Sequence, residues 1–116
     1  MDSIVREKSH KFAVRIVRLY RYLCKEKHEY VLSKQLLRSG TSIGANVSEA
    51  LDGQSRADFT AKMSVALKEA RETEYWLELL RETEYLSEVE YESIRKDSGE
   101  VARLLTAIVK TSRNHP

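Results

Sequence analysis

Three groups of side chains in this 116-residue chain have types and spacings that could do chemistry. The first is basic. Arg15, Arg18, Tyr22 and Lys25 follow one another at steps of three and four, with Lys11 one turn earlier and Arg21 beside the row. Such a row can neutralise phosphates while the tyrosine ring stacks on a base, which is the chemistry of nucleic-acid binding. The second group is acidic: Glu49, Glu69 and Glu72 would form an acid/base set if they converged in a cleft beside Asn46. No nucleophile and base stand together near them, so capping, a polar layer, or bridges to Arg38, Lys68 or Arg71 are the favoured roles. The third, Glu7 with His10, is a Glu-x-x-His pair of the kind that di-metal bundles use twice. It occurs once, and His28 and His115 fall at a helix end and near the C-terminus, where neither supplies the second pair. No metal, no other cofactor and no catalytic residue is expected, and the chain reads as a non-enzyme.

The elements that must position these groups are helices. Helix 1, about residues 3–27, is capped by Asp2 or Ser3 and carries two apolar rows, Phe12, Ile16, Leu19, Leu23 and Ala13, Val17, Tyr20, Cys24. The basic row occupies the opposite side. Helix 2, about 33–52, takes Ser33 as its cap after an extended Glu29–Leu32 segment and ends at Gly53, where a left-handed residue is wanted. Leu36, Ile43, Val47 and Ala50 form its inward face. Helix 3, about 56–84, opens after Ser55 with Asp58 three residues on, and repeats Phe59, Met63, Ala66, Ala70, Thr73, Leu77 and Leu80 at steps of three and four. Helix 4, about 88–113, has the clearest start, Ser87 followed by Glu90, and a stripe of Ile94, Val101, Leu104, Leu105 and Ile108. Short links make consecutive helices antiparallel neighbours, so the fold class is all-α, a single up-down-up-down four-helix bundle.

Gly40, Gly44 and Ser48 line up four apart as a ridge of small residues within helix 2. A glycine inside a helix costs roughly 1 kcal/mol against alanine, so the ridge implies close approach by another helix or a kink. The alanines of helix 3 are the expected partner, and Ser42 would cap a restart if the helix bends at Gly40. A phosphate-cradle reading fails: no lysine follows the second glycine, and helix rather than strand precedes the segment.

Composition narrows the setting. One cysteine, Cys24, excludes an intrachain disulfide and suits a reducing, cytoplasmic compartment. No window approaches the roughly 20 apolar residues of a membrane span. The net charge of +2 is uneven: from Met1 to His28 eight basic residues face three acidic ones, a net of +5, which leaves −3 for the rest. The positive field therefore belongs to helix 1.

The run from Gln35 through Ala50, with Asp58-Phe59-Thr60-Ala61-Lys62 and the stretch Ala66 to Leu80, closely resembles a family. It is that of the bacterial four-helix-bundle proteins first noticed as products of intervening sequences in large-subunit ribosomal RNA genes. Phe12-Ala13-Val14-Arg15-Ile16 extends the resemblance to helix 1. It implies a left-handed bundle that associates into ring-shaped pentamers. Gly40, Gly44, Asn46, Glu49, Phe59 and Trp76 are read as packing and structural residues. Many members carry proline where this chain has Gly44, which implies a bend there. A more distant relative, the accessory protein of diversity-generating retroelements, is a basic barrel that binds nucleic acid and a reverse transcriptase. The family defines no catalytic residues.

Two functions from different classes are expected. One is a cytoplasmic homo-oligomer that binds nucleic acid, RNA in preference, through Lys11, Arg15, Arg18, Arg21, Tyr22 and Lys25. The other is a scaffold for a protein partner in which charge serves assembly alone. Glu74, Glu78 and Glu82 stack four apart on helix 3 and complement the basic row, and a ring brings unlike surfaces together head to tail.

Overall fold

The computed structural model describes residues 3–114, which form four α-helices: α1 (Ile4–Lys25), α2 (Leu32–Leu51), α3 (Arg56–Glu82) and α4 (Glu88–Asn114). Each packs against its neighbours in chain order, and α4 returns beside α1, which closes an elongated bundle of 46 × 22 × 20 Å. No described helix is long and apolar enough to cross a membrane. The core is built from the expected stripes. Phe12, Ile16 and Leu23 meet Leu36, Ile43 and Val47, then Met63, Leu77 and Leu80, then Ile94, Val101 and Leu105, all buried. Burying each such side chain contributes about 1.5–3 kcal/mol before chain entropy is set against it. Leu19, Phe59, Trp76, Leu104 and Ile108 only half-enter this core.

The start signals of three helices hold. Ser3 caps α1 by accepting the Arg6 amide, Ser55 caps α3 by accepting that of Asp58, and Ser87 with Glu90 forms a reciprocal capping box on α4. Asp2, the alternative cap of α1, and His115 lie outside the described residues. α2 corrects the expectation. Its cap is not Ser33 but the Glu29 carboxylate, which accepts the amides of Val31, Leu32 and Ser33 at 2.7–3.1 Å, while the Ser33 hydroxyl donates back to the Glu29 carbonyl at 2.8 Å. A longer acid reaching forward from the turn satisfies three orphan amides where a serine could reach one. Burial alone would raise the Glu29 pKa; the Leu32, Ser33 and Val31 amides outweigh it and hold the carboxyl below its ordinary range.

Gly53 is a second correction, since no glycine has positive φ. Its lack of a side chain serves close approach: a Cβ there would stand 2.6 Å from Asp58 Oδ2 and 3.0 Å from the Ala50 carbonyl oxygen. The left-handed positions belong to His28 (φ 54°) and Glu84 (φ 68°), at the turns that leave α1 and α3.

The small ridge of α2 faces α1, not the alanines of α3, and α2 runs unbroken from Leu32 to Leu51. A Cβ on Gly40 would lie 2.8 Å from Ile16 Cγ1 and Cγ2, and one on Gly44 would lie 3.3 Å from the Ser9 carbonyl oxygen. Close packing is therefore the role of this pair. Ser42, the supposed cap of a restart, donates its hydroxyl to the Arg38 carbonyl inside the continuous helix at 2.6 Å. The alanines Ala66 and Ala70 are buried on α3 beside Thr73, whose hydroxyl lies 3.0 Å from that of Ser39 and pins the register of α2 on α3.

Candidate functional site

α1 divides in two. Its periodicity sends Val5, Ser9, Phe12, Ile16 and Leu23 inward, which leaves the cations on the flanks and outer face. In the N-terminal half each cation has an acid. Arg6 pairs with Asp52 at 3.7 Å, Lys8 with Glu100 at 3.2 Å and Lys11 with Glu7 at 3.2 Å. Arg15 reaches α4, where it donates to Asp97 Oδ2 at 2.7 Å, to the Ser93 carbonyl at 3.0 Å and to the Ser93 hydroxyl at 2.5 Å. In the C-terminal half the pattern ends: Arg18, Arg21 and Lys25 are exposed and make no ion pair among the described residues.

Tyr22 does not stand free among them. Its ring is half-buried against the core, its hydroxyl lies close enough to Glu90 to favour the ionised carboxylate, and the Lys27 ammonium lies over its ring at 6.0 Å from the centroid. Glu90 is held below its ordinary pKa first by the Ser87 amide, and the Tyr22 hydroxyl adds to that. The exposed aromatic of this region is Tyr30, in the turn to α2, with 52% of its surface in water. The sequence signal for it was a tyrosine in an inter-helix turn that belongs to no apolar row.

Along the α1/α4 seam Arg18 borders a groove of about 790 Å³ whose floor includes Val14, Leu19, Leu86, Val89 and Ile94. Val89 is 81% exposed, on an α4 face that α1 does not cover.

The other candidate residues separate. Glu49 pairs with Lys62 at 3.0 Å and Asn46 donates to the Ser42 carbonyl at 2.8 Å, rather than bonding Glu69 or Glu72. Arg38 of α2 bridges those two: it lies 3.2 Å from Glu69 Oε2 and also binds Glu72. Glu72 in turn accepts the Trp76 indole N–H at 3.0 Å. That hydrogen bond, then Arg38, holds the Glu72 carboxyl below its ordinary pKa. The three carboxylates thus form α2/α3 bridges rather than an acid/base cluster. Of the acidic row on α3, Glu74 leans on Arg71 at 3.6 Å, while Glu78 and Glu82 are exposed and form no ion pair among the described residues. Among the described residues no three His, Cys, Asp or Glu side chains could together hold a metal ion.

Comparison with known proteins follows the same lines. The model of the family described as 23S rRNA-intervening sequence protein matches residues 1–107. A crystal structure from Bacteroides thetaiotaomicron, of a protein with unknown function from the S23 ribosomal protein family, is 61% identical. The match covers 92% of this chain and 96% of that one with a TM-score of 0.91. None of the curated proteins matches.

Proposed function

The chain belongs to the 23S rRNA-intervening sequence protein family, and from that premise we propose that it is a non-enzymatic, self-associating cytoplasmic bundle that binds RNA through phosphate contacts from the C-terminal half of α1. The observation that carries this reading is the division of the helix. Arg6, Lys8, Lys11 and Arg15 are spent on acids of the same chain, whereas Arg18, Arg21 and Lys25 keep their charge for something outside it. Exposed, unpaired cations at helical spacing neutralise phosphates without requiring a base sequence. Assembly multiplies the field by bringing copies around one axis, and a pentameric ring would collect fifteen such cations, three from each of five protomers.

The test is binding of labelled single-stranded RNA and DNA across a salt series. Three phosphate contacts per protomer give a log–log slope of about −2 for a single strand. Reversal of Arg21 and Lys25 to glutamate should weaken binding and flatten that slope. Absence of retention at low salt, or retention unchanged by the reversals, overturns the reading.

The exposed Val14 and Val89 in the α1/α4 groove favour a second role for the same face, in assembly or in holding a protein partner. Arg18 at its edge complements the unpaired Glu78 and Glu82 of a neighbouring copy. Charge reversal at Arg18 or Glu78 should then reduce the mass seen by light scattering, and the double reversal should restore it. An unchanged mass in both single variants removes this pairing.

A further inference from the structure

The turn between α1 and α2 is held more firmly than its exposure suggests. α1 ends as the Glu26 amide bonds the Tyr22 carbonyl at 2.8 Å, His28 turns the chain at φ 54°, and the Glu29 amide returns to the Leu23 carbonyl at 3.0 Å. The Glu29 side chain is buried and grips the amides of Val31, Leu32 and Ser33, so the backbone on both sides of residue 30 is fixed. On this frame Tyr30 and Val31 are left in water, 52% and 72% exposed. The Tyr30 hydroxyl lies 3.1 Å from His28 Nδ1, which steadies the ring without covering it. An aromatic side chain presented on a pinned backbone binds with little ordering cost.

Its surroundings are basic. Lys25 and Lys27 precede it, Lys34 follows in the first turn of α2, and all three are exposed. Glu26 is the one exposed acid between Lys25 and Lys34, because Glu29 is consumed in capping. The α3–α4 turn lies at the same end of the bundle and adds the exposed Glu82 and Glu84, which would repel phosphate and confine an anionic chain to the α1/α2 side.

Resting on the RNA reading above, we infer that this turn selects single-stranded RNA: Tyr30 stacks on an unpaired base while Lys25, Lys27 and Lys34 take the flanking phosphates. A duplex keeps its base faces against one another, and only an unpaired strand offers them to a tyrosine. Exposed lysines alone would not discriminate between the two forms.

Fluorescence anisotropy with a labelled uridine-rich single strand and a labelled RNA duplex tests this on the full chain, with Tyr30→Ala, Tyr30→Phe and Lys25→Glu as variants. Tyr30→Ala should weaken single-strand binding about tenfold and leave duplex binding within about twofold, as loss of one stacked base requires. Tyr30→Phe keeps the ring and should bind as the parent does, while Lys25→Glu should weaken both ligands. Tyr30 is exposed, so circular dichroism of Tyr30→Ala should match the parent. If Tyr30→Ala binds the single strand as tightly as the parent while the salt dependence and the Lys25→Glu defect persist, the stacking inference falls and the phosphate reading stands. If no form binds either RNA, both fall.

Discussion

Arg15 and Asp97, 82 positions apart in the chain, meet at 2.7 Å across the α1/α4 seam. With its two bonds to Ser93 the guanidinium fixes α4 on α1 along a seam that is otherwise open around Val14 and Val89. Arg15, which on sequence belongs to the basic row, is therefore a structural clamp.

Arg15→Gln should destabilise the bundle modestly, by about 1 kcal/mol, since both partners of the ion pair are more than a third exposed and solvent screens it. Thermal denaturation should show a fall of a few degrees, and the salt slope for RNA should stay at the parent value. A lost slope with unchanged stability would place Arg15 in the interface instead.

Gly40→Ala should destabilise despite the better helix propensity of alanine. The new Cβ would stand 2.8 Å from two carbons of Ile16, which is fully buried and cannot swing aside. Overpacking of this kind costs about 1–3 kcal/mol against a propensity gain of about 1 kcal/mol. Urea denaturation should therefore give a net loss of up to about 2 kcal/mol. In an Ile16→Ala background the same substitution should become neutral or favourable, a coupling that a double-mutant cycle measures.

Glu29→Ala removes the cap of α2 and should cost about 1–2 kcal/mol. The pH dependence has a definite sign. A carboxyl with its folded pKa below the unfolded value contributes stability that is fully present above the unfolded pKa, near 4.5, and is lost as pH falls through the folded one. The parent should lose stability below pH 4.5 more steeply than Glu29→Gln does, as read by urea midpoints across an acid series.

Trp76 is the only tryptophan, so its emission reports the Arg38–Glu72–Trp76 bridge directly. Glu72 also has a depressed pKa, so the indole bond to its carboxylate should persist through the ordinary carboxyl value of 4.5 and be lost only as pH falls below it. Emission should therefore be flat from neutral pH through 4.5 and shift at lower pH, and Glu72→Gln should abolish the step. A step that survives in Glu72→Gln would trace it to another acid.

Much of the architecture was legible because helix formation is local. Steps of three and four placed Phe12, Ile16, Leu36, Ile43, Leu77 and Leu105 inward, and Ser55 or Ser87 marked a helix start with side chains three residues away. Ser33 failed as a cap because an acid four residues earlier took the amides of Val31, Leu32 and Ser33 with its two oxygens and started the helix at Leu32, ahead of Ser33. Tyr22 failed as a free ring because its row borders the α1/α4 seam, where Glu90 and Lys27 engage it. Its replacement, Tyr30, lay in a turn where no periodicity operates.

Four amphipathic helices, their order, their inward faces and an excess of positive charge on the first of them can be read from residue order alone. Which helix meets the Gly40 ridge, and which cations of α1 are neutralised, emerges only in the packed bundle. Periodicity separates inside from outside within one helix, whereas an ion pair or a close contact depends on the relative register of two helices. Register is set by the whole packed core, so Arg15 found Asp97 and Gly40 found Ile16 only once the bundle closed.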